Sequence, residues 1–166
     1  MTQATFHSGH HRRLDVLAGA WETTLIALQP DGSTGGVSFA SDVYTWMPNG
    51  HFLVHEVDAM MDGQRVRSTE IIGVDVESGG FFSRSYDADG GTSDFTSRLD
   101  GGRYTIQGQS QRFDGVISSD RQLLTGEWEH RSAMTGSRSS ASCLNGPSRF
   151  ACSAARRTGD VAVGRV

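Results

Sequence analysis

The sequence predicts an all-β domain of antiparallel strands joined up and down, either a barrel or a sandwich. Three observations predict it. About nine β-type runs follow one another at roughly ten- to twelve-residue spacing. Almost no stretch carries helical periodicity. The chain has 21 Gly and only 3 Pro in 166 residues, which suits many short strands joined by tight turns.

Taken in order, residues 1–13 read as a polar, flexible tail. Residues 14–21 read as a short helical turn, with Leu14 and Leu17 on one side and Gly19 ending it. The first strand is expected over 21–28 and the second over 37–46. A compact turn, Met47-Pro48-Asn49-Gly50, leads into the most informative stretch, the hairpin 51–74. Its centre is Asp62-Gly63, the dipeptide suited to a two-residue type I′ turn because both central positions need positive φ. That turn sets a register. His51–Val74, Leu53–Ile72, His55–Glu70, Val57–Ser68 and Ala59–Val66 become facing pairs on one side. Asp58–Arg67 falls on the other, because strand side chains alternate with a period of two. The first face is mostly aliphatic and should look inward. The second carries what a solvated ion pair looks like. Further strands are expected over 81–86, 92–99, 103–109, 111–117 and 123–131, with Asp100-Gly101-Gly102 as a second hairpin signal.

Residues 133–166 are rich in Ser, Arg, Ala and Gly and read as irregular or disordered. The expected barrel domain is therefore 14–132, with no good closing strand. An unpaired edge invites association, so a homodimer is one expected partner.

Composition excludes several functions. The net charge of −4 and pI near 5.8 argue against a nucleic-acid surface. All 15 basic residues are Arg, which reads as the codon usage of a GC-rich, actinobacterial-type genome. No run suits a membrane span. The N-terminus lacks a signal-peptide core, so a cytoplasmic location is expected. Cys143 and Cys152 are too few for a disulfide framework. No phosphate loop, nucleotide fingerprint, metal cluster or nucleophile elbow occurs, and no cofactor is expected.

Leu14-x-x-Leu-x-Gly19-Ala-Trp21-Glu22, Tyr44-x-Trp46-x-Pro48-x-Gly50-x-Phe52-Leu53-x-His55, Glu70-Ile71-Ile72-Gly73-x-Asp75 and Gly126-x-Trp128-Glu129 together resemble the DUF1579 family of bacterial calycin-like barrels. The likeness covers residues 14–131. It implies a lipocalin-like up-and-down barrel of about 9–10 strands with an interior cavity, and it carries no catalytic residues over. In lipocalins the Trp of Gly-x-Trp closes one barrel end beside an Arg from the last strand. Trp21 matches, with Arg131 as the candidate partner.

Such a barrel has room for one small ligand. His55 and Glu70, roughly 5 Å apart between Cβ atoms if directly opposed, form the candidate site. They suit an acid–base pair. His51, Leu53, Val57, Ser68, Ile72, Trp46 and Tyr86 are the expected ligand-lining residues. Tyr44, Tyr104 and Arg84 are further candidates. The expected function is binding of a small hydrophobic molecule. The alternative is a cofactor-independent isomerase or cyclase of a biosynthetic intermediate that uses His55 and Glu70. A third reading is haem binding through His55 or His51.

Overall fold

The computed structural model describes residues 9–130 and 148–157. It is an all-β, closed barrel of ten antiparallel strands. The strands are β1 Gly19–Leu28, β2 Thr34–Trp46, β3 Leu53–Met61, β4 Gln64–Asp75, β5 Gly80–Asp87, β6 Thr92–Asp100, β7 Arg103–Gln107, β8 Gln111–Ile117, β9 Leu123–His130 and β10 Ser148–Arg156. Each pairs with its sequence neighbours, and β10 closes the barrel onto β1.

The expected turn chemistry is present. Asp62 and Gly63 both have positive φ, 51° and 76°. The β3–β4 register runs Leu53↔Ile72, His55↔Glu70, Val57↔Ser68, Ala59↔Val66 and Met61↔Gln64. The hairpin departs from expectation only at its far end. Met47 N–H bonds to Phe52 O and Gly50 N–H to Met47 O, so the turn consumes the residues that would have paired His51 with Val74. On the outer face Asp58 takes Arg65 as its closer partner, at 2.6 Å, with Arg67 at 3.3 Å. Other outer pairs are Arg84–Asp94, Arg112–Glu129 and Arg103–Asp114. Apart from the half-buried Glu129 these groups are largely open to water, which screens the pairs heavily. No helix among the described residues is long and apolar enough to cross a membrane.

One end of the barrel is plugged. A 3-10 helix, His11–Val16, lies across it. The helix includes residues 11–13, which the sequence pattern places in the tail. Leu14 and Leu17 point in and are fully buried against Leu53, Ile72, Phe81 and Ile117. Each such burial stabilises the fold by about 2 kcal/mol. Arg13 holds the helix down by bonding to Gly79 O and Leu99 O, with its guanidinium over the Phe81 ring.

The closing strand is the main correction to the sequence reading. It lies inside the stretch 133–166 assigned to an irregular tail. The barrel domain therefore extends to Arg156 instead of ending at 132. Residues 133–147 and 158–166, with Cys143 and Arg131, lie outside the described residues. Cys152 and Ala154 face inward and are buried. Small residues such as Ala and Ser give little strand signal of their own, which is why the sequence pattern does not announce β10. The Arg that meets Trp21 also comes from β10. Arg156 lies 4.5 Å over the Trp21 ring and donates to Val16 O and Ala18 O. Gly19 permits this. Its φ is +121°, and a Cβ there would sit 2.7 Å from the Arg156 guanidinium.

Candidate functional site

Above the plug, alternate residues of β1 to β5 converge on one polar cluster. His55 of β3 is its centre. Its Nδ1 lies 2.9 Å from Glu70 Oε2, directly across the β3–β4 ladder. Its Nε2 lies 2.8 Å from Asp42 Oδ1 on β2. Ser83 Oγ–H on β5 donates to Glu70 Oε1 at 2.5 Å, and Thr23 Oγ1–H on β1 donates to Asp42 Oδ2 at 2.5 Å. Tyr44, facing His55 across the β2–β3 ladder, stacks on the imidazole with centroids 3.9 Å apart and planes 6° from parallel. The side chains of His55, Asp42 and Glu70 are only 12%, 14% and 17% exposed.

A carboxylate at each ring nitrogen requires two N–H donors, which is the imidazolium form. Burial opposes that charge, but the hydrogen bonds and charges of Asp42 and Glu70 outweigh it and raise the His55 pKa to about 9. Burial likewise pushes the Glu70 carboxyl up, while His55 and Ser83 pull it down further, so its net shift is downward. Burial drives the Tyr44 and Tyr104 phenols upward. Burial, with Asp42 adding to it, pushes the Cys152 thiol up to about 12, so that thiol is a wall and not a nucleophile.

These shifts give a stability profile. The folded His55 pKa exceeds its unfolded value of 6.5. Its contribution is complete below pH 6.5, fades as pH rises towards 9 and is gone above it. Over that window the expected loss is about 3 kcal/mol. Glu70 acts at the other end, since its contribution is lost as pH falls below its unfolded value of 4.5. Urea midpoints measured from pH 4 to 10 are therefore expected to peak between about 5 and 6.5. A midpoint flat from pH 6.5 to 9 would contradict this.

The cluster borders an interior cavity of about 320 Å³, at the small end of the range for small-molecule sites. Apolar walls come from Leu25, Ala40, Val57, Phe95, Phe113 and Trp128, among others. The cavity runs from Leu17 and Trp21 at the plug to Met61, Asp87 and Gln111 at the opposite end.

Of the sequence-predicted site residues, His55, Glu70, Val57 and Ser68 line this cavity, as do the further candidates Tyr44 and Tyr104. His51, Leu53, Ile72, Trp46, Tyr86 and Arg84 do not. His51 is exposed outside the strands, edge-on to His11 at 5.6 Å. Leu53 and Ile72 face inward but are consumed by packing against the plug. Trp46 sits at the plugged end, with Nε1 donating to Asp15 Oδ1 at 2.9 Å. Tyr86 lies on the outer face and is 45% exposed, as alternation from the buried Ser83 requires. Arg84 is outside as well, paired with Asp94. Tyr44 and Tyr104 both face in.

Asp42, Thr23 and Ser83 were missed. A signal for Asp42 existed in the alternation Ala40, Asp42, Tyr44, which carries it inward once the short Met47–Gly50 turn pairs Tyr44 with His55. Ser83 gave none, since small polar residues fit either face of a strand. The described residues offer no metal-binding group of three or more His, Cys, Asp or Glu. With both nitrogens of His55 engaged and His51 outside the cavity, neither is presented as an axial haem ligand. No family model matches the chain, and no curated protein matches it.

Proposed function

We propose that this barrel binds one small, predominantly apolar molecule in its interior cavity. A β-barrel fold of this kind is compatible with ligand binding. The observation that carries this reading is the pairing of an apolar wall with a single convergent polar cluster, Asp42–His55–Glu70, in one interior pocket. That is the usual composition of a binding site that orients its ligand. Kinship with the DUF1579 barrels belongs to the same proposal. It is supported by the Leu14-x-x-Leu-x-Gly19-Ala-Trp21-Glu22 opening, while the Arg from the last strand stacked on Trp21 supports the wider lipocalin-like resemblance.

The geometry weighs against the isomerase or cyclase reading. A general base must offer a free nitrogen near the operating pH. His55 holds a proton on each nitrogen, and both are already donated to carboxylates.

The test is calorimetric titration of the full chain with tryptophol, a neutral aromatic alcohol of suitable size. Saturable 1:1 binding is expected. It should be lost in Ala40→Trp and in Ala154→Trp, which fill the cavity from two different strands while circular dichroism checks the fold. Binding that survives in both folded variants, or no binding to the parent chain, would overturn the proposal.

A further inference from the structure

We infer, resting on the binding reading above, that the cavity selects cationic ligands: an ammonium carried on a compact apolar body and held by the open lone pairs of Asp42 and Glu70.

The first support is the charge inventory of the wall. The carboxylates and histidine in the lining are Asp42, Glu70, Asp87 and His55, and burial holds the other titratable lining groups, Tyr44, Tyr104 and Cys152, in their neutral forms. The chain has 15 Arg, yet none lines the cavity among the described residues. Two carboxylates share one imidazole. The cluster is therefore negative with His55 protonated and more negative with it neutral. Its sign does not depend on how His55 titrates. A ligand carboxylate entering here would meet like charge without a guanidinium or ammonium to receive it, which disfavours acids.

The second support is unused acceptor capacity. Each carboxylate oxygen in the cluster accepts one hydrogen bond, from His55, Thr23 or Ser83. An ionised carboxylate has about four lone-pair sites, so both Asp42 and Glu70 keep room for another donor. Both imidazole N–H groups are spent on the carboxylates, so the imidazole itself offers no free donor to the cavity. The aromatic residues Phe95, Tyr104, Phe113 and Trp128 complete the lining, and ring faces attract cations.

The third support lies at the mouth. In an up-and-down barrel alternate turns gather at the same end. The end opposite the plug receives the β1–β2, β3–β4, β5–β6 and β7–β8 turns. Among the described residues these turns carry Asp31, Asp62 and Asp89, and Asp87 at the end of β5 lines the cavity. Arg65 and Arg112, at the adjoining ends of β4 and β8, lie on the outer face, paired with Asp58 and Glu129. Carboxylates in front of a low-dielectric cavity focus the field and concentrate ligands of the opposite charge.

The test uses three indole ligands of nearly equal size and different charge: tryptamine, tryptophol and indole-3-acetate, titrated calorimetrically at pH 7. Tryptamine is expected to bind at least tenfold more tightly than tryptophol, and indole-3-acetate more weakly than either. Raising the salt should weaken tryptamine binding and leave tryptophol binding unchanged, because only the charged ligand is attracted by the carboxylates. Glu70→Gln should shrink the amine-over-alcohol ratio. Asp87→Asn, which leaves the Asp42–His55–Glu70 cluster intact, should shrink it too and guards against a folding defect in the first variant. Equal affinities for tryptamine and tryptophol would overturn the cation inference and leave the binding reading standing. Tightest binding by the acid would do the same. Binding by none of the three would overturn both.

Discussion

His55→Leu is expected to destabilise the barrel by on the order of 3 kcal/mol at pH 6.5. The substitution keeps the apolar bulk and removes the cation. Asp42 and Glu70 are then left facing one another across His55's former place, each stripped of its charge-assisted bond. They are 14% and 17% exposed, so some water reaches them and the low end of the range for breaking a buried pair applies. The converse matters as much. Replacing all three groups together, His55→Leu with Asp42→Asn and Glu70→Gln, is expected to recover most of the loss, because no net charge remains to be buried. Urea unfolding followed by tryptophan fluorescence measures both variants. A single substitution costing less than about 1 kcal/mol would mean that the cluster is effectively solvated.

A chain ending at His130 is expected to lose the barrel fold altogether. It would retain every strand up to β9 and only lack the stretch that looks least structured. Yet β10 makes complete ladders with both β1 and β9, buries Cys152 and Ala154, and supplies the Arg156 that ties the Trp21 end to the carbonyls of Val16 and Ala18. Its removal frees two long strand edges at once, the condition that drives edge-to-edge association. Size-exclusion chromatography and thermal melts distinguish the outcomes. Aggregates or a non-cooperative melt are expected, while a monomer melting cooperatively would show that closure by β10 is dispensable.

The two halves of the chain differed in how much they disclosed. The β3–β4 hairpin was legible because one dipeptide, Asp62-Gly63, restricts φ at two positions and thereby assigns a face to every residue on both strands. His55 and Glu70 were read correctly as an inward facing pair for that reason. His51 was not, because extending an ideal register to the strand's end ignores the hydrogen bonds a neighbouring turn requires for itself. Tyr86 was misread because no turn of defined length anchored its face. Asp42 needed a second register, from β2 to β3, before it could be brought to His55. The closing strand was obscured by chemistry, since small residues pack well against the cavity wall but mark no period. A lone interior His–Glu pair suggests proton exchange. Adding Asp42 on the other nitrogen turns the same His into a fixed cation that structures the cavity.

The protonation state of His55 in the folded protein tests that view most directly. Ring ¹⁵N and ¹³C chemical shifts can be followed from pH 5 to 10, with His55→Leu identifying the signals. Both ring nitrogens should carry protons at pH 7, and the midpoint should fall near 9. A midpoint at or below 6.5, with one nitrogen unprotonated at pH 7, would contradict an imidazolium held between Asp42 and Glu70.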